Sequence, residues 1–221
     1  MKKYSIVYED EFLLLIDKPQ GLPTGFGQKE SLCDYIFEDF PYLKNIVGYN
    51  KNEGGLLNRL DNETGGIVFF AKNDLAFQYY STQMKEEKIE KIYEAIVEGI
   101  PQKNEGVINY PISHSNKNKA KMVAIKDSAK NYRSIPQEAQ TNWKLLKTKD
   151  NISLLEIKIK KGVRHQIRVH LASIGLPIVG DKLYNKKEYD CENHLLYAKG
   201  VVFYTKQNKK IEIFVKPSFF L

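Results

Sequence analysis

The sequence predicts an α+β fold, a mixed, largely antiparallel β-sheet with flanking helices. Two observations carry this. Leu155, Ile157 and Ile159 alternate with Glu156, Lys158 and Lys160, and Ile211, Ile213 and Val215 repeat the pattern near the C-terminus. That period of two marks half-buried strands. Helical patterns are few and do not alternate with strands in the βαβ order of a parallel sheet.

Ile6 to Lys18 reads as two short strands around the polar turn Glu9-Asp10-Glu11, followed by the turn residues Pro19, Gly21, Pro23 and Gly25. Ser31 to Phe40 suits a short helix, and Lys44 to Gly55 a loop. Ile67 to Ala71 is a continuous apolar run, as in a buried strand. Asn73 or Asp74 is placed to cap a helix running to about Lys88, with Ala76, Tyr80 and Met84 as its buried stripe. Ile92 to Ile100 reads as a strand with Glu94 and Glu98 outward. A short helix from about His165 to Ile174 stops at Gly175 and again at Pro177.

With 42% apolar and 28% charged residues, the composition is globular rather than disordered. At 221 residues the expectation is a single domain. Thirty-four Lys and Arg against 27 Asp and Glu leave a charge of +7. That surplus suits a polyanion partner and equally a merely basic soluble protein. The two cysteines, Cys33 and Cys191, lie far apart, with no zinc spacing or disulfide framework, which suits a reducing cytosol. No apolar stretch approaches the ~20 residues of a membrane span, and no signal peptide is visible. The expected location is the cytoplasm.

Two clusters have residue types suited to chemistry. Asn58-Arg59-Leu60-Asp61-Asn62-Glu63-Thr64-Gly65-Gly66 is polar and Gly-rich and runs directly into the apolar strand. An active-site loop at a sheet edge fits it, as does a turn with a solvated Asp. If the chain is extended there, Arg59 and Asp61 point to one side. Gly162-Val163-Arg164-His165-Gln166-Ile167-Arg168-Val169-His170 is basic. A helix beginning here stacks Arg164 on Arg168, and two cations at a helix N-terminus call for an anion. A solvated basic face is the alternative. His165 and His170 would lie about 140° apart around a helix and so cannot share a metal; no phosphate-loop motif occurs either. Neither metal nor cofactor is expected. Tyr93 begins a strand, and Lys117, Lys119 and Lys121 interleave with Asn and Ala in a loop suited to solvent or to RNA phosphate.

In order, these segments resemble the RluA-type pseudouridine synthases over almost the whole chain. Asp17-Lys18-Pro19-Gln20-Gly21-Leu22-Pro23 is similar to the family's opening Asp/Asn-Lys-Pro-x-Gly-Leu-Pro segment. Asn58 to Lys72 resembles its His-Arg-Leu-Asp, Thr-Ser-Gly and apolar strand ending in Ala-Lys. Lys91 to Gly99 resembles the Lys-x-Tyr-x-Ala-x-Val-x-Gly strand. Gly162 to Tyr184 resembles the Gly-Arg-Thr-His-Gln-Ile-Arg-Val-His helix and the Pro-Ile-x-Gly-Asp-x-Leu-Tyr segment after it. Three positions depart: Asn58 stands for His, Gly65 for Ser, and Val163-Arg164 for Arg-Thr.

The resemblance implies one catalytic domain over 1–221 with no S4 domain in front, and a central RNA-binding cleft. It implies isomerisation of uridine in structured RNA, ribosomal or transfer, without a cofactor. Asp61 would be the catalytic carboxylate, Arg164 its cationic partner with Arg168 as the alternative, and Tyr93 the residue against the uracil. Arg59, Leu60, Thr64, His165, Gln166, Arg168, Lys117, Lys119 and Lys121 would bind RNA. A non-catalytic RNA-binding protein on the same fold is the competing expectation. A two-carboxylate hydrolase using Glu63 fits less well.

Overall fold

Residues 3–25, 30–126 and 132–219 are described by a computed structural model. Strands β1 (Ser5–Glu9) and β2 (Leu13–Lys18) pair antiparallel. The acidic turn between them is built by Asp10, whose Oδ1 accepts the N–H groups of Phe12 and Leu13, each at 2.7 Å. Helix α1 (Leu32–Asp39) starts at a reciprocal capping box between Ser31 and Asp34. A 3-10 turn, Pro41–Asn45, follows and runs two residues into the expected Lys44–Gly55 loop.

Strand β3 (Gly65–Ala71) is buried at every position, as its apolar run predicts. Asn73 caps helix α2 (Asp74–Lys85) by accepting the Ala76 N–H at 2.8 Å. Its buried face is Ala76, Phe77, Tyr80 and Ser81, whereas Met84 is only half-buried. The expected four-residue stripe therefore drifts, because 3.6 residues per turn brings Phe77 and Ser81 inward. Strand β4 (Glu90–Glu98) is buried on both faces, with only Glu90, Glu94 and Glu98 half-buried. Glu94 and Glu98 are thus less buried than their neighbours, as the sequence predicts.

Short strands β5 (Glu105–Ile108), β6 (Ile112–His114) and β7 (Met122–Ala124) precede a long hairpin of β8 (Thr141–Lys149) and β9 (Ile152–Ile159). Helix α3 (Gln166–Ser173) ends at Gly175, whose φ of 82° is left-handed. Strands β10 (Leu196–Tyr204) and β11 (Lys210–Phe214) complete the fold. Ser153, Leu155, Ile157 and Ile159 are the buried face of β9, as its alternation predicts.

The chain divides into two units, Met1–Lys91 with Tyr197–Ser218, and Ile92–Leu196 with Phe219–Leu221. In the first unit the strand order is β1-β2-β3-β10, with β11 on β10. Its pairs are antiparallel except β3 with β10, which run parallel through Gly65–Tyr197 and Gly66–Ala198. Phe203 packs edge-on against Phe69 and Tyr80 at its core. In the second unit the order is β4-β9-β8-β5, beside the β6-β7 pair. Ile112, Met122, Ala139, Val163 and Val169 form a core there. The architecture is α+β with a mixed, mostly antiparallel sheet, as the sequence predicts.

Candidate active site

In the first unit, Asp61 opens the turn that feeds β3; its carbonyl accepts the Thr64 N–H at 3.0 Å. The approach to the turn lies along β3. The Leu57 N–H donates to the Phe69 carbonyl, and the Phe69 N–H donates to Asn58 Oδ1 at 2.8 Å. Asn58, standing where the family usually has His, is therefore an architectural acceptor here.

The Lys18–Thr24 segment grips this turn by its main chain. Gly21 N–H donates to the Asn62 carbonyl at 2.9 Å and Gln20 Nε2 to the Glu63 carbonyl at 3.0 Å. Thr24 Oγ1 donates to the Leu60 carbonyl at 2.8 Å and accepts the Leu60 N–H at 3.2 Å. Lys18, 0% exposed, donates from Nζ to the carbonyls of Pro19, Leu22 and Asn62 at 3.0, 2.7 and 3.2 Å. Three acceptors match the three donors of an ammonium. Burial pushes Lys18 down to about 7, opposed by the charges of Asp61 and Asp17. Lys18 Nζ thus lies against the turn that carries Asp61, bonded to the Asn62 carbonyl.

Gly65, where the family usually has Ser, has a packing reason. A Cβ there would sit 2.4 Å from the Tyr197 ring, whose hydroxyl donates to Asp17 at 2.8 Å. At Gly66, φ is 112° and a Cβ would lie 2.2 Å from the Ala198 carbonyl oxygen.

Arg59 is half-exposed but its guanidinium is ion-paired with the buried Glu53. The Glu53 hydrogen bond outweighs partial burial and holds Arg59 above its ordinary value. Leu60 and Thr64 are buried, so both shape the turn instead of offering surface.

In the second unit the basic cluster is arranged otherwise than spacing suggests. Helix α3 begins only at Gln166, because His165 is left-handed with φ 55°. Arg164 falls outside the helix and is exposed, while Arg168 is buried, so the two do not stack on one face. The anion expected near them is Asp181, which accepts Arg168 Nε at 2.7 Å and Nη2 at 2.8 Å. Burial pushes Asp181 up, but the Arg168 hydrogen bond, the Arg168 and His194 charges and the Leu183 N–H together hold it below the usual carboxylate range.

Gln166 is also spent internally: Oε1 accepts the Val163 N–H, and Nε2 donates to the Gln140 carbonyl and Thr141 Oγ1. Buried and with its amide bonded on both sides, it closes the turn before α3. Tyr184 gathers other expected residues. His165 Nδ1 lies 2.9 Å from its hydroxyl, Met122 N–H donates to that hydroxyl at 2.8 Å, and Lys121 Nζ and the Arg168 guanidinium lie 5.8 and 5.3 Å from its ring centroid. Lys117 and Lys119 are exposed in the β6–β7 loop. Tyr93 is buried on β4. Among the described residues no group of three or more His, Cys, Asp or Glu gathers at metal-binding spacing.

The residues missed in the sequence are Lys18 and Thr24 as the clamp, Glu53, Asp181 and Tyr184. For Lys18 the signal was present: it shares the inward register of Leu14 and Ile16 on β2.

Residues 12–173 match the model of the RNA pseudouridylate synthase family. The chain belongs to that family. It is 34% identical over 201 residues to an uncharacterized RNA pseudouridine synthase of Aquifex aeolicus (strain VF5), covering 89% of this chain and 60% of that one. It is 36% identical over 184 residues to the ribosomal large subunit pseudouridine synthase C of Rickettsia felis (strain ATCC VR-1525 / URRWXCal2), covering 83% and 56%. The chain thus spans little more than half the length of these two relatives. The solved structure of human RNA Pseudouridylate Synthase Domain Containing 1 shares the fold, with a TM-score of 0.81, 22% identity, and coverage of 99% of this chain and 85% of that one.

Proposed function

We propose that this chain isomerises uridine to pseudouridine in structured RNA, ribosomal or transfer, in the cytoplasm, with Asp61 as the catalytic carboxylate. The observation that carries the reading is the clamp: four neighbouring side chains or amides, from Lys18, Gln20, Gly21 and Thr24, fix the turn around Asp61. In the reaction the C1′–N1 bond breaks, the uracil turns, C5 bonds to C1′, and the C5 proton is lost as N1 gains one. The change is redox-neutral and balances without a co-reactant. Asp61 acts as an anion, either on C1′ or on a ribose proton.

The cation that would keep Asp61 charged during desolvation has to be fixed and dry. The resemblance gives that role to Arg164, which is exposed, or alternatively to Arg168, which is bidentate on Asp181. Tyr93 lies against the uracil and relays the C5 proton. Lys117, Lys119, Lys121 and Arg164 contact phosphate, offsetting the few kcal/mol needed to unstack the base.

RNA from cells lacking the gene, grown on C5-tritiated uracil, is the test substrate. The wild-type chain is expected to release tritium, and Asp61→Asn to release none while still binding RNA. Release by Asp61→Asn at the wild-type rate would refute the assignment. Binding without release by the wild type would make the chain a non-catalytic RNA-binding protein.

A further inference from the structure

We infer that a cavity lined by Lys3, Tyr4, Asp17, Gln20 and Tyr197 is a second ligand site, one that takes a guanine nucleotide. The inference goes beyond isomerisation and does not depend on it. The cavity belongs to the first unit. Its volume of 590 Å³ falls within the roughly 300–1,000 Å³ of small-molecule sites. Ser5 stands opposite Asp17 in the β1–β2 register and also lines it. Cross-strand partners share one face of a sheet, so the hollow lies on the Asp17 face of the hairpin, opposite that of Lys18.

The polar lining offers acceptors. Asp17 is half-buried and accepts the Tyr197 hydroxyl at 2.8 Å. A carboxylate has about four lone-pair sites, so one bond leaves most of its accepting capacity. The Tyr4 hydroxyl proton is committed to Asp39. Both phenols have thus spent their protons inside the protein. Burial pushes Asp17 up, against the Tyr197 hydrogen bond and the Lys18 charge, so donors from a ligand would replace water it has lost. Tyr197 has its place because residue 65 is glycine, where a Cβ would come within 2.4 Å of its ring. The serine usual in the family at that position would displace the phenol that orients Asp17.

Such a lining suits a flat ring with adjacent N–H donors. Guanine has them: its N1–H and 2-amino group stand side by side and match a carboxylate. Adenine and cytosine offer one amino group beside a ring acceptor, and uracil one N–H between two carbonyls, so each sets an acceptor against Asp17. Tyr4 and Tyr197 supply aromatic surface for the base. Lys3, exposed, gives two of its three donors to Glu30 Oε2 and Tyr35 Oη at 2.8 and 2.5 Å, which leaves the third for the nucleotide phosphate. The source is a free nucleotide or a guanine of bound RNA. Either would lie against Gln20, which also holds the Glu63 carbonyl in the Asp61 turn.

The test is calorimetric titration of the whole chain with the 5′-monophosphates of guanosine, inosine, adenosine, cytidine and uridine. Guanosine monophosphate is expected to saturate one site and to bind about tenfold tighter than inosine monophosphate, which lacks only the 2-amino group. Asp17→Asn is expected to erase that preference. Lys3→Gln is expected to weaken guanosine monophosphate about threefold and guanosine itself not at all. Should Asp17→Asn fail to fold, the guanosine-to-inosine comparison on the wild type still decides. Equal binding of all five, no saturable binding up to about 10 mM, or an Asp17→Asn chain that keeps the preference overturns the inference. Repeating the titration with RNA bound separates the sources. Loss of guanosine monophosphate binding assigns the site to a guanine of the RNA, and unchanged binding assigns it to the free nucleotide.

Discussion

The turn around Asp61 and the start of helix α3 carry opposite charges, and the fold secures them in opposite ways. The acidic turn is held by the main chain of Leu60, Asn62 and Glu63, with bonds from Lys18, Gln20, Gly21 and Thr24. The basic segment is held by side chains: Arg168 is bidentate on Asp181, and Gln166 is bonded at both ends. Backbone clamping fixes where the residue that carries the carboxylate stands. Side-chain clamping fixes a guanidinium's direction as well, and removes much of it from solvent.

Breaking the side-chain clamp should have the larger effect. Asp181→Asn leaves the buried Arg168 without its counter-charge and is expected to cost about 3–5 kcal/mol, read by denaturant unfolding. A cost near zero would mean that the pair is not what holds α3. On the backbone clamp, Lys18→Met keeps the apolar stem but abandons three carbonyls, for about 2–3 kcal/mol.

Lys18 also makes a pH prediction. Below about pH 7 it is charged in both the folded and unfolded chain, and above its ordinary 10.5 it is neutral in both. Between the two, the unfolded chain holds a proton that the folded one gives up, so the contribution of Lys18 to stability rises with pH. Lys18→Met should flatten that part of the stability curve between pH 7 and 10; an unchanged slope would show that another group titrates. Thr24→Val removes a single hydroxyl that serves Leu60 twice, and is expected to cost about 1 kcal/mol. The smallest effect belongs to Arg164→Ala. Melting should stay as in the wild type, while the salt dependence of RNA binding becomes shallower by about one counterion. A large stability loss there would erase the contrast between the exposed and the buried arginine.

Much of this was legible from local pattern. The β1–β2 hairpin, the fully apolar β3, the Asn73 cap of α2 and the alternation of β9 follow from residues close in sequence. Strand β8 was not, because its second half is exposed and a bulge between Leu145 and Lys147 breaks the period. The Asp61 turn was legible through its motif. Its clamp was not, because Lys18 reaches Asn62 across 44 residues and Thr24 reaches Leu60 across 36. The basic segment misled for a local reason. Spacing of four places Arg164 and Arg168 together only if both are helical, and the left-handed His165 delays the helix past the first. Glu53 gave no signal at all, since its role depends on how a loop folds back onto Arg59.

The measurement that bears most directly on this account is pseudouridine mapping of total RNA from cells whose only copy of the gene carries Asp61→Asn. The account predicts that every pseudouridine lost on deletion is equally lost in this strain, although the variant protein is folded and present at normal levels. Normal pseudouridine at those positions would contradict it.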